Sequence, residues 1–188
     1  MSIASKPVTT EELLAMPNDG VVREIIRGAL RESPMTTRSG PHCLAMSNLA
    51  FLIGAWLRQQ PQPRGRLYTG DARARTERDP DTFVGIDLTY LNPEQAARNA
   101  PDAPFIDGPP VLVVEILSPS DTIEGIGEKI REYLDAGVAL VWEVNPLFQT
   151  VTVHRPDARP VLFNIDQDIT AEPHLPGFRA AVAEIFAS

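Results

Sequence analysis

Cysteine is all but missing from this chain: Cys43 is the single one among 188 residues, so neither an intrachain disulfide nor a CxxC-type metal site can form. A reducing cytoplasm is the setting that this usage predicts. Lysine is nearly as scarce, with only Lys6 and Lys129, and the formal net charge is -8. That balance excludes a protein that coats nucleic acid without specificity, a mode that depends on many Lys and Arg contacts to phosphates. It leaves room for a local basic groove. No apolar run is long enough to span a membrane: the longest, from Cys43 to Leu57, is broken by Ser47 and Asn48 and falls short of the ~18 residues required. The opening MSIASKPVTTEE has no signal-peptide core. The three histidines, His42, His154 and His174, lack ligand spacing and read as ordinary polar or packed residues. GIGEK, at 125–129, lacks the Gly-Lys-Ser/Thr of a phosphate-binding loop and reads as an irregular first helical turn. Ser118 and Ser120 lack the Gly-x-Ser-x-Gly elbow and, flanking Pro119, read as helix-capping groups. Nucleophilic and zinc chemistry therefore find little support.

What is present fits one globular domain over 1–188, with 43% hydrophobic and 22% charged residues. Thr9 and Glu12 have capping-box spacing and predict a short helix that stops at Pro17 to Gly20. VVREIIRGALRES predicts two strands joined through Arg27-Gly28. From Pro41 to Gln60 apolar residues recur at helical spacing and predict the long helix. RLYTGDARAR and TFVGIDLTYL predict strands, and the Pro-, Ala- and Asp-rich stretch from Asn92 to Pro110 predicts a long loop. VLVVEIL, TIEGIGEKIREYLDAG and VALVWEV form a strand, a helix ending at Gly137, and a second strand. That order predicts a βαβ unit with parallel strands. TVTVHRP and ARPVLFNI predict edge strands, and AAVAEIFA a closing helix. The fold class expected is α/β with a mixed sheet flanked by helices.

Four features could carry chemistry. Alternation along VLVVEIL puts Glu115 on a face with Val111, Val113 and Leu117, inside a strand that is apolar on both sides. A charge there must be paired, protonated or bound to a cation; a structural ion pair and a functional acid both remain open. Asp87 stands likewise within TFVGIDLTYL, as a second buried acid or a strand-end aspartate. Two such acids in neighbouring strands would repel without a cation between them, and Mg²⁺, which takes one or two carboxylates and keeps waters, suits that gap. Lys129 falls on the flank of the Ile126/Ile130/Tyr133 stripe and could reach the end of the Glu115 strand, or snorkel along the interface. Arginines at 64, 66, 73, 75 and 78 make either a solvated hairpin surface or a basic strand face, with Arg73 and Arg75 meeting a polyanion.

An acid in one strand, a second acid followed by an irregular strand end, and a nearby lysine resemble the PD-(D/E)XK nuclease superfamily. PPVLVVEILSPSDTIEGIGEKIREYLDAGVALVWEVNP looks like the bacterial Uma-type family of restriction-endonuclease-like proteins, and the likeness extends to TTEELLAMPNDG, REIIRGALRE, the helix near His42, GIDLTYL and LPGFRAAVAEIF. The resemblance implies a restriction-endonuclease-like fold and Mg²⁺-dependent hydrolysis of DNA, with Mn²⁺ as a substitute ion. It implies Asp87 and Glu115 as metal-binding acids assisted by the Ile116 carbonyl, and Lys129 as the catalytic lysine, moved to a helix from the strand position where Leu117 stands. Glu24 matches a further acid of the site. Two departures are visible: Ile86 replaces the proline usual before the aspartate, and Arg27 stands where the family often has an acid. A homodimer is the expected assembly, since many endonucleases need two sites to cut two strands. The competing readings are a non-catalytic member serving as a binding module and a hydrolase of small phosphodiesters.

Overall fold

The computed structural model describes residues 6–35 and 37–188. Helix α1 (Thr10–Leu14) is started by its capping box: the Thr9 hydroxyl accepts from the Glu12 N–H, and the Glu12 carboxylate accepts from the Thr9 N–H. Strands β1 (Val21–Ile26) and β2 (Ala29–Pro34) form a hairpin. It turns at Arg27-Gly28, both at positive φ, and a Cβ on Gly28 would stand 2.6 Å from the Pro7 side chain. The long helix α2 (Gly40–Gln59) is capped by Ser39 and buries Ala45, Leu49, Ile53 and Trp56 along one stripe. Strands β3 (Arg66–Glu77) and β4 (Thr82–Leu91) pair antiparallel.

The stretch from Asn92 to Pro110, expected as a loop, contains helix α3 (Pro93–Arg98) and strand β5 (Ile106–Asp107). Asn92 and Gln95 cap α3 reciprocally, and β5 pairs parallel with β3. The βαβ unit forms as its sequence requires. Strand β6 (Leu112–Ile116), helix α4 (Ile123–Asp135) and strand β7 (Leu140–Asn145) place β6 parallel to β7. Thr122, rather than Ser118 or Ser120, caps α4, and GIGEK is regular helix. Gly137, at φ +95°, closes the helix: its N–H meets Leu134 O while the Val138 N–H meets Tyr133 O.

Strands β8 (Thr150–Arg155) and β9 (Ala158–Phe163) extend the sheet; of these two, both expected as edge strands, β9 lies at an edge and β8 is covered on both sides. Strands β10 (Asp168–Thr170) and β11 (Arg179–Ala181) form a separate ribbon before helix α5 (Val182–Phe186). The main sheet is mixed and nine-stranded, in the order β2-β1-β4-β6-β7-β8-β9, with β3 on β4 and β5 on β3. Residues of α2 and α5 pack with Leu112, Val114 and Ile116 in one core cluster. Ile130 and Tyr133 of α4 pack with Val113 and Val141 in another.

One irregularity positions the site. Strand β3 covers β4 along its length, but the opposite edge of β4 is shared: β1 meets it at Phe83 and β6 at Leu88 to Tyr90. Among the described residues, none pairs as a strand with residues 84–87 on that side. Opposite the same point β3 shifts register between Thr69 and Ala72, with Gly70 and Asp71 both at positive φ. The neighbouring residues Ile86 and Leu88 belong to different core clusters, so β4 changes sides across Asp87.

Candidate active site

The open edge of β4 leaves backbone groups without a ladder, and side chains complete them. The Gly85 N–H donates to Glu24 Oε1 of β1 (3.0 Å), and the Gly85 carbonyl accepts from Lys129 Nζ of α4 (2.9 Å). Just beyond the last β4–β6 pair, the Ile116 N–H donates to Asp87 Oδ2 (2.8 Å). Because the N–H and C=O of one strand residue face the same edge, the Ile116 carbonyl turns toward this gap as well. The gap opens into a cleft of about 760 Å³ between the β1–β2 hairpin and the β6–α4 connection.

Two of the acids are buried here, Asp87 at 4% exposure and Glu115 at 6%, and Lys129 joins them. Lys129 Nζ lies 3.2 Å from both carboxylate oxygens of Glu115 and 3.4 Å from Glu24 Oε1. The flank position of Lys129 on its helix thus delivers the amine to the end of the Glu115 strand. The Tyr133 hydroxyl donates to Glu115 Oε1 at 2.6 Å. On the other side, Asp87 Oδ1 lies 3.3 Å from Arg38 Nη2 and 3.4 Å from His42 Nε2, and Arg38 also pairs with Asp71 of the β3 bulge.

Burial and neighbouring charges set the direction in which each group's pKa moves. Burial pushes the Glu115 carboxyl up to about 7; Lys129 and the Tyr133 hydroxyl oppose the rise, while Asp87 adds to it. Burial also raises Asp87, yet the His42 ring, the Ile116 N–H and Arg38 together outweigh it and hold Asp87 below the ordinary aspartate range. For Lys129 burial disfavours the charge, but the Glu115 and Glu24 carboxylates dominate and keep its pKa above the usual lysine value. Among the described residues no three His, Cys, Asp or Glu groups close around one point as a preformed metal cage. Two carboxylates and a turned carbonyl are nevertheless donors of the kind Mg²⁺ takes, since that ion keeps several waters and shares its remaining positions with phosphate oxygens.

The arginine strand face divides. Arg73 is exposed and lines the cleft, its guanidinium 5.8 Å from the Phe83 ring centroid. Arg75 corrects the expectation of a polyanion contact. It is only 6% exposed, stacks 4.9 Å over Phe105, and pairs with Asp107 and Glu11. Its charge is spent inside the protein. Arg27, standing where an acid was expected, reaches across to Glu132 and Asp135 of α4. Sequence reasoning missed Arg38, His42 and Tyr133. Only Tyr133 left a signal, its place one turn beyond Lys129.

The Uma2 family profile, described as putative restriction endonuclease, matches residues 10–183. The chain belongs to this family. Its fold is shared with a solved putative nuclease of the DUF820 family from Anabaena variabilis ATCC 29413. The two superpose with a TM-score of 0.78 at 22% identity, over 96% of this chain and 98% of the other. No curated protein matches the sequence. The Uma2 match spans Glu24, Asp87, Glu115 and Lys129 alike, so all four lie within the family's own domain. No helix among the described residues is long and apolar enough to cross a membrane.

Proposed function

We propose that this Uma2-family chain is a metal-dependent endonuclease that hydrolyses DNA phosphodiester bonds. The observation that carries the reading is the meeting of Asp87 and Glu115 at the open edge of β4, with Lys129 in contact with Glu115. Asp87, Glu115 and the Ile116 carbonyl would hold Mg²⁺, or Mn²⁺ in its place. Such an ion, when bound, supplies Lewis acidity that neutralises charge developing on a phosphate group.

The chain's own residues do the rest. Glu115 and Glu24 favour the charged form of Lys129, which would offer its positive charge to the developing anion. Tyr133 and Lys129 together fix the Glu115 carboxylate, and the Ile116 N–H fixes Asp87. Glu24, held by the Gly85 N–H, sets the third side of the lysine. Arg73 faces the cleft as the backbone contact for a DNA strand.

A second reading draws on the ion pairs that already neutralise the acids: Lys129 on Glu115 and Arg38 on Asp87 suit a non-catalytic binding module. A cleavage assay separates the two. Supercoiled, linear duplex and single-stranded DNA are incubated with Mg²⁺ or Mn²⁺, with EDTA and Asp87→Ala as controls. Nicking that disappears with both controls supports the enzyme. Cleavage unchanged in Asp87→Ala would identify a contaminant, and DNA binding without cleavage of any form would favour the module.

A further inference from the structure

His42 is wholly buried, in the first turn of α2 where its N–H is directed to the Ser39 hydroxyl of the cap. Neither of its ring nitrogens completes a hydrogen bond of normal geometry to a described residue. Burying an unsatisfied imidazole is costly, so such a group calls for a partner at the place it points to. The carboxylate oxygen near Nε2 is Asp87 Oδ1, 3.4 Å away, and a modest turn of the ring or the carboxylate would align the two. Asp87 is thereby addressed from two rigid elements: Oδ2 by the backbone of β6 and Oδ1 by the ring carried on α2. Arg38, the other neighbour of Oδ1, is 37% exposed and divided between Asp87 and Asp71, so it is poorly placed to define the carboxylate plane alone.

We infer that His42 is a positioning residue: its Nε2–H donates to Asp87 Oδ1 and, with the Ile116 N–H, fixes the orientation in which Asp87 meets a divalent cation. The inference rests on the reading of Asp87 as a cation ligand. Outer partners of this kind orient a ligand without touching the ion, and their loss typically weakens binding by about 10- to 100-fold. Gln at 42 can place an amide N–H near the same point, whereas Leu fills the volume and donates nothing.

The test has one readout without metal and one with it. In metal-free protein labelled with ¹⁵N-histidine, the His42 Nε2 is expected in the N–H form, with a shift that moves in Asp87→Asn. Mg²⁺ titration by calorimetry is then expected to show about tenfold or greater loss of affinity in His42→Leu and partial recovery in His42→Gln, with melting temperature and circular dichroism confirming that both are folded. A bare, unprotonated Nε2 overturns the inference whatever the metal does. Wild-type affinity in a folded His42→Leu overturns it while leaving the metal site standing. No Mg²⁺ binding by the wild type overturns the metal reading and this role together. Should His42→Leu fail to fold, His42→Gln carries the comparison: the nitrogen form in the wild type and an affinity within a few fold support the role, and loss of Mg²⁺ binding as complete as in Asp87→Ala overturns it.

Discussion

Asp81 shows how one carboxylate can anchor a distant helix. Its Oδ2 accepts from both the N–H (2.7 Å) and the hydroxyl (2.6 Å) of Thr10, tying α1 to the head of β4. Burial works to raise its pKa, but the Thr10 hydroxyl and N–H prevail and hold it below the ordinary aspartate value. A folded pKa below the unfolded one means stability that is present above the unfolded value, near 4, and lost as pH falls through the folded value. Asp81→Asn should therefore cost about 1–3 kcal/mol at pH 7 by urea denaturation, with the difference from wild type vanishing in strong acid. A cost that persists unchanged in strong acid would count against the linkage. At this scale the sequence disclosed Asp87 and Glu115 because a charge inside an apolar strand breaks a pattern that two-residue alternation makes visible. It hid His42 and Tyr133 because each satisfies the local rule of its helix. Arg75 misled for a related reason: its partners Asp107 and Glu11 lie 32 and 64 residues away.

Among the elements, the β1–β2 hairpin has a short ladder to the rest of the main sheet and leans on side-chain contacts. It makes one strand pair with β4, Ile25 with Phe83, supplemented by Glu24 on the Gly85 N–H and by the turn residues Arg27 and Gly28 on Thr82 and Asp81; it reaches α4 through Glu24 with Lys129, Arg27 with Glu132 and Asp135, and Arg31 with Glu128. The exposed pairs among these, Arg27 with Asp135 and Arg31 with Glu128, contribute roughly 0.2–1 kcal/mol each, and salt screens them. Hydrogen exchange should accordingly be faster in β1 and β2 than in β6 and β7, and raising the salt to about 1 M should quicken the hairpin selectively. Arg31→Ala should do the same at low salt while lowering global stability by no more than about 1 kcal/mol. Hairpin amides as slow as those of β6 would count against a weakly held hairpin. The βαβ unit and the long helix were legible because their apolar periods run for many residues. Helix α3 was not, since its six residues sit in a Pro- and Asp-rich stretch, although Asn92 and Gln95 repeat the spacing of Thr9 and Glu12.

The whole molecule carries a charge of -8, and its cleft cations are mostly occupied. Arg23, Arg31, Arg38 and Lys129 each pair with a carboxylate; Arg73 is the one cleft cation without such a partner among the described residues. Few phosphates can be neutralised by such a surface. If two or three are, the logarithm of DNA affinity should fall with the logarithm of salt at a slope of about -2 to -3, far from the steep dependence of proteins with six or more contacts. Fluorescence anisotropy across a salt series measures this, and a slope beyond about -6 would reveal a basic surface elsewhere. The shared edge of β4 has an evolutionary corollary. Glu24 and Lys129 close the hydrogen bonds of Gly85, a task independent of whether the site cuts. The seam in the sheet would favour keeping these two residues in a chain of this fold with or without chemistry, so Asp87→Ala, rather than motif counting, is the comparison that separates a working nuclease from an extinct one.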